Sequence, residues 1–144
     1  MILADEAASR GFGARLAGLV RPGDVVTLSG PLGAGKTSIA RGLIAALGHD
    51  GEVPSPSFAI VQPYEMLSPP LWHVDLYRIE QHDELLELGL ESIREDGVLL
   101  VEWPERAGEG AFPDALHLTI APDGRGRRLT ADVPAAWEDR WPPR

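Results

Sequence analysis

The sequence predicts an α/β domain with a central mixed, mainly parallel sheet flanked by helices. Three observations lead there. A short β-branched apolar run, Val25-Val26-Thr27-Leu28, enters the glycine-rich stretch Gly30-Pro31-Leu32-Gly33-Ala34-Gly35-Lys36-Thr37, and a helical pattern follows at once. Val98-Leu99-Leu100-Val101 is the most apolar run of the chain and has no polar face, as expected of a central parallel strand buried on both sides. Six residues ending at Pro70 separate Tyr64 from Leu71-Trp72-His73-Val74-Asp75, which predicts a hairpin and makes the sheet mixed.

The elements follow in order. Ala4 to Leu19 places Ala8, Phe12, Leu16 and Leu19 on one side and reads as an amphipathic helix. Pro22-Gly23-Asp24 turns the chain into the strand over 25–28. Thr37 to Leu47 carries Ile39, Leu43, Ile44 and Leu47 at helical spacing, and Gly48 closes it as a C-cap. Val53-Pro54-Ser55-Pro56-Ser57 is a proline-punctuated loop that leads into a strand over Phe58–Val61. Asp83 to Glu95 is a leucine-rich helical stretch with acidic residues at its start and a break near Gly89. Two further strands, Leu116–Ala121 and Leu129–Val133, flank the turn Arg125-Gly126-Arg127-Arg128. The expected domain covers residues 1–134. The tail 135–144, ending in Trp141-Pro142-Pro143-Arg144, is expected to be irregular or frayed.

Composition narrows the function classes. At 144 residues, with 44% hydrophobic and 24% charged residues, the chain has the balance of one globular domain. No cysteine is present, so disulfides, thiol catalysis and cysteine metal sites are excluded. No apolar run approaches a membrane span and the first residues do not resemble a signal peptide, so a cytoplasmic location is the expectation. A net charge of −9 repels a polyanion. The cluster at 125–128 reads as a solvated turn, and direct nucleic-acid binding is disfavoured.

The glycine-rich stretch fits the phosphate-loop pattern GxxxxGK(S/T) in full. Lys36 is the only lysine of the chain, the remaining basic residues being arginine. It stands where a compact ammonium reaches the β- and γ-phosphates of a nucleotide. Amides of Gly33, Ala34, Gly35, Lys36, Thr37 and Ser38 and the positive end of the following helix can cradle the phosphates. The Thr37 hydroxyl is placed to hold Mg²⁺. Such a loop needs a carboxylate at the end of a neighbouring buried strand, and Glu102 ends the run 98–101. Asp75 shares a strand face with His73; two ionisable groups there are paired, exposed or functional. Ser55 and Ser57 either cap a turn or form a switch-like segment that senses the γ-phosphate.

Together these segments resemble the TsaE family, bacterial P-loop ATPases of tRNA threonylcarbamoyladenosine modification, from about Ser9 to about Ile120. The similarity rests on Leu16-Ala17, Gly23-Asp24, the loop followed by Arg41-Gly42, and Ser55-Pro56-Ser57-Phe58. It continues through His73-Val74-Asp75-Leu76-Tyr77-Arg78 and Glu87-Leu88-Gly89-Leu90-Glu91 to Glu102-Trp103-Pro104-Glu105. The HxDxYR and EWPE strings are the specific part. The resemblance implies a single-domain P-loop NTPase with ATP and Mg²⁺ as cofactors, Thr37 and Glu102 at the metal, and Lys36, Asp75 and Glu102 as catalytic residues. It further implies that Ser57 holds a switch-like position usually filled by threonine, and that Trp103 lies beside the nucleotide machinery. Pro31, Ser57 and Ser9 depart from the family's usual residues.

The resulting expectation is hydrolysis of ATP to ADP and phosphate that drives the cycle of a tRNA-modifying assembly. A TsaB–TsaD-like heterodimer would be the partner and would carry the tRNA. Either Asp75 or Glu102 orients the attacking water. An ATP-sensing scaffold and a small-molecule kinase are the alternatives. Guanine readout of the NKxD type is disfavoured, since the chain has no asparagine and no second lysine.

Overall fold

The computed structural model describes residues 1–31, 35–53, 61–108 and 110–143. The elements are β1 (Ile2–Leu3), α1 (Glu6–Leu16), β2 (Val25–Ser29), α2 (Lys36–Ala46), β3 (Val61–Tyr64), β4 (Leu71–Asp75), α3 (His82–Glu87), α4 (Leu90–Arg94), β5 (Val98–Glu102), β6 (Leu116–Asp123) and β7 (Gly126–Asp132). Short 3₁₀ turns occupy Pro104–Ala107 and Ala135–Trp137. One seven-stranded sheet runs in the order β1-β7-β6-β2-β5-β4-β3. Its centre, β6-β2-β5-β4, is parallel, while the β3–β4, β6–β7 and β1–β7 pairs are antiparallel. The parallel expectation thus describes the middle of the sheet, and the hairpins supply the antiparallel flanks.

Alternation along the central strands divides the interior in two. Val26, Leu28, Val98 and Leu100 face α1 and α2, together with Phe12, Leu16, Ile39 and Leu43. Val25, Leu99 and Val101 face the other side, with Val74, Leu76 and Leu90. A strand with apolar residues on both faces must be covered on both, which is why β5 is fully buried. Helix α1 starts where Asp5 accepts the Ala8 amide at 2.8 Å. Gly89, at φ 63, separates α3 from α4 where the sequence predicts a break.

Helices α1 and α2 touch backbone to backbone. A Cβ at Gly42 would overlap the Arg10 carbonyl, and one at Gly13 would overlap the Ile39 carbonyl. These glycines set how closely α2, which carries the phosphate loop at its head, can lie against α1.

Two differences from the sequence reading have physical causes, and one expected strand lies partly outside the described residues. The edge strand β1 is too short to show periodicity and pairs with β7 through Ile2↔Arg128 and Leu3↔Arg127. The strand expected over 58–61 is described from Val61 onward, in a hairpin whose register pairs Tyr64 with Leu71; residues 58–60 lie outside the described residues. Residues 135–143 are irregular beyond a short 3₁₀ turn, as expected, but they are docked rather than frayed. Trp137 is fully buried in the main core, and Arg140 bonds Asp24 at 2.7 Å and the Leu19 carbonyl at 2.7 Å. The Arg140 guanidinium also stacks 4.0 Å over the Trp137 ring, and Trp141 meets Phe12 edge-on at 6.2 Å. One large aromatic ring supplies enough apolar area to dock a segment that has no periodic pattern.

Candidate functional site

Strands β2, β5 and β4 end together at one edge of the parallel sheet, the crevice where open α/β sheets bind ligands. Leu28 on β2 is in register with Glu102 on β5, and Glu102 is in register with Asp75 on β4. The main chain locks this edge, because the Trp103 amide donates to the Leu28 carbonyl at 3.3 Å and the Leu76 amide to the Glu102 carbonyl at 3.1 Å. Two carboxylates thereby stand side by side next to the strand that feeds the phosphate loop.

Gly35 caps α2 at φ 102, a left-handed conformation that strains any residue with a Cβ. A Cβ there would also sit 3.1 Å from Nε of Arg127. Lys36, Thr37 and Ser38 form the first turn of α2, with their amides among the unpaired donors of a helix N-terminus. Gly33 and Ala34, expected in the same cradle, lie outside the described residues, as do Ser55 and Ser57.

The Lys36 ammonium folds back over the loop. Its Nζ donates to the Gly30 carbonyl at 2.6 Å and rests 3.8 Å from the centre of the Trp103 ring. Burial lowers the pKa of Lys36, while the nearby Glu102, Glu105 and Asp75 carboxylates oppose that shift in decreasing order. Trp103 is the one non-glycine residue among the described ones with positive φ, at 58. Such a conformation costs about 1–2 kcal/mol for a residue with a side chain. The main-chain bond to Leu28 and contact with Tyr77, ring centres 4.9 Å apart, hold it there. Trp103 therefore lies beside Lys36.

Each carboxylate has one oxygen already engaged. Asp75 Oδ1 accepts the Tyr77 amide at 2.9 Å. Glu102 Oε2 accepts from His73 Nε2 at 2.6 Å, both side chains being buried. His73 thus pairs across to Glu102; the surface pairing with Asp75 that the strand spacing left open does not form. Burial raises the pKa of Asp75 and repulsion from Glu102 adds to the rise, against the Tyr77 amide, His73 and Lys36, which lower it.

That raised pKa has a consequence for stability. An acid whose folded pKa lies above the unfolded one weakens the fold as pH rises through the folded value, and exerts no such effect below the unfolded value. Asp75→Asn keeps an oxygen for the Tyr77 amide and removes the charge. Without nucleotide, the variant is expected to melt a few degrees higher than the parent at pH 7 to 8. The difference should vanish below the ordinary aspartate value of about 3.8. Calorimetric melts across that range check it, and a lower melting point for the variant at pH 7 refutes it.

The donors suit a hard cation. Thr37 offers a hydroxyl, and Glu102 and Asp75 offer carboxylate oxygens. Among the described residues no group of three or more His, Cys, Asp or Glu could hold a metal unaided. Mg²⁺ typically takes one or two protein carboxylates and completes its shell with phosphate oxygens and water.

Two further residues border the site through contacts that the sequence does not show. The spacing leaves His73 open as a surface partner of Asp75 or a functional group, and it bonds Glu102 on the next strand instead. Arg127 looked like part of a solvated turn, whereas Gly126–Arg128 already belong to β7 and Arg127 turns toward Gly35. Cross-sheet proximity, invisible to spacing, brings both in.

A family profile described as "Threonylcarbamoyl adenosine biosynthesis protein TsaE" matches residues 3–129. The chain belongs to the TsaE family. Among its relatives, the tRNA threonylcarbamoyladenosine biosynthesis protein TsaE of Streptomyces coelicolor is 47% identical over 114 residues, spanning 77% of each chain. The TsaE protein of Bacillus subtilis is 42% identical over 78% of this chain and 70% of its own. That of Haemophilus influenzae is 35% identical over 76% of this chain and 71% of its own. The crystal structure of Bacillus subtilis YdiB superposes with a TM-score of 0.80 at 29% identity, covering 96% of this chain and 87% of that one. As for membranes, no helix among the described residues is long and apolar enough to cross one.

Proposed function

We propose that this TsaE-family chain is a Mg²⁺-dependent ATPase that hydrolyses ATP to ADP and phosphate in tRNA threonylcarbamoyladenosine biosynthesis. The observation that carries the proposal is the register Leu28–Glu102–Asp75. It sets two buried carboxylates beside a loop whose ammonium and helix N-terminus both face the same crevice. Anions are favoured at that helix end, and a phosphate chain supplies the negative charge that the helix N-terminus and the lysine attract.

Lys36 exchanges the Gly30 carbonyl for oxygens of the β- and γ-phosphates. Amides of residues 33 to 38 cradle the phosphates, and Ser57 serves as the switch-like hydroxyl. Thr37 and the Oε1 oxygen of Glu102 would hold Mg²⁺, directly or through water; the ion neutralises charge on the phosphate oxygens when bound. Asp75 keeps Oδ2 for the attacking water, and burial makes its carboxylate a stronger base than an exposed aspartate. Trp103 lies flat against the lysine and keeps water from that side of it. The acidic surface suits a subunit whose partners, a TsaB–TsaD-like pair, carry the tRNA.

Phosphate release, measured with and without the partner complex and tRNA, tests this. Glu102→Ala is expected to retain ATP while turnover falls about 100-fold or more. Unchanged turnover would overturn the assignment. Release at background in the parent while ATP still promotes assembly would establish a scaffold, and a phosphorylated acceptor would establish a kinase.

A further inference from the structure

His73 is buried to 1% exposure in the middle of β4, and the proposed mechanism does not use it. Its Nε2 lies 2.6 Å from Glu102 Oε2, and no described residue partners its Nδ1, which is also buried. A carboxylate only accepts, so Nε2 carries the hydrogen and the imidazole is the donor. Burying a histidine this deeply costs free energy unless both ring nitrogens are hydrogen-bonded, and among the described residues only Nε2 is.

Glutamate has three side-chain torsions, and a strand end fixes none of them. His73 comes from the neighbouring strand, two residues before Asp75 and on the same face. Its N–H captures one Glu102 oxygen and so limits the orientations of the whole carboxylate. One short strand, β4, therefore supplies both the second carboxylate of the site and the anchor of the first. We propose that His73 is a positioning residue that holds Glu102 Oε2 so that Oε1 is presented to Mg²⁺. The inference rests on the assignment of Glu102 to the metal.

The test follows binding of a fluorescent ADP analogue as Mg²⁺ is varied, alongside thermal melts. His73→Leu removes the donor at similar volume. His73→Gln places an amide N–H near the original Nε2, and His73→Asn ends one methylene short of it. His73→Leu and His73→Asn are expected to raise the half-saturating Mg²⁺ concentration about tenfold, with binding in EDTA unchanged, and His73→Gln to recover most of the loss. If His73→Leu does not fold, the Gln and Asn pair decides alone. Equal Mg²⁺ requirements in all variants and the parent overturn the proposal. So does equal impairment of Gln and Asn that tracks their loss of melting temperature, which would make His73 a packing residue. Failure of the premise looks different: the parent and Glu102→Ala would then require the same Mg²⁺ concentration.

Discussion

Lys36→Ala is expected to lower the affinity for ATP and ADP at least about 100-fold, to the point where calorimetric titration detects no binding. The lysine supplies charge-assisted bonds worth about 1.5–3 kcal/mol each, and two of them correspond to that loss. Its present partners make the cost specific to nucleotide. Among the described residues the ammonium touches the Gly30 carbonyl and the Trp103 ring, and its burial depresses its pKa. Removing it takes away a desolvated charge and leaves both partners able to reach solvent or each other, so the melting temperature should change little. Lys36→Arg should fail as well, because a planar guanidinium cannot occupy the space between the loop and the indole as a compact ammonium does. ATP affinity within a few-fold of the parent in Lys36→Ala would remove the phosphate loop from the account of this protein.

Gly42→Ala is expected to destabilise the fold by about 3 kcal/mol, lowering the melting temperature by roughly 10 °C. Helix propensity argues the opposite, since alanine exceeds glycine by about 1 kcal/mol in a helix interior. Packing overrides it. The new Cβ would overlap the Arg10 carbonyl, and backbone cannot rotate aside as a flexible side chain can. The helices must separate, and α2 takes Gly35, Lys36 and Thr37 with it, so ATP binding should weaken in the same variant. Gly11 in α1 is the internal control: a Cβ there meets nothing within 4 Å. Gly11→Ala should therefore raise stability by about 0.5–1 kcal/mol. Chemical denaturation of the two variants gives opposite signs if the glycine contact governs the pair, and the same sign if it does not.

The phosphate loop, the strand before it and the helix after it are legible in the chain because each is a local pattern. The GxxxxGK(S/T) spacing spans eight consecutive residues, and helix or strand periods repeat within a few residues. Glu102 and Asp75 stand out for a related reason, as charges at the ends of strands whose other residues are apolar. The EWPE and HxDxYR strings carry enough specificity to indicate the family before any coordinates.

What joins these pieces was not legible. Spacing along β4 places His73 and Asp75 on one face but cannot show that Glu102, on another strand, takes the imidazole. Arg127 belongs to a basic cluster by sequence and to the rim of the loop by sheet topology. Trp103 is a strand-end aromatic in the chain, and its left-handed backbone shows only in three dimensions. Trp137 lies in a stretch rich in alanine, proline and charge, where one ring gives no period to read.

The sequence by itself determined the main helices and strands and the glycine-rich motif, because these are set by neighbours in the chain. Only the tertiary structure decided which oxygen of each carboxylate a described residue engages, where the lysine rests, which glycines lie against a neighbouring helix and that Trp137 is part of the core. Those outcomes depend on contacts between residues tens of positions apart, whose geometry is fixed by strand register and helix approach.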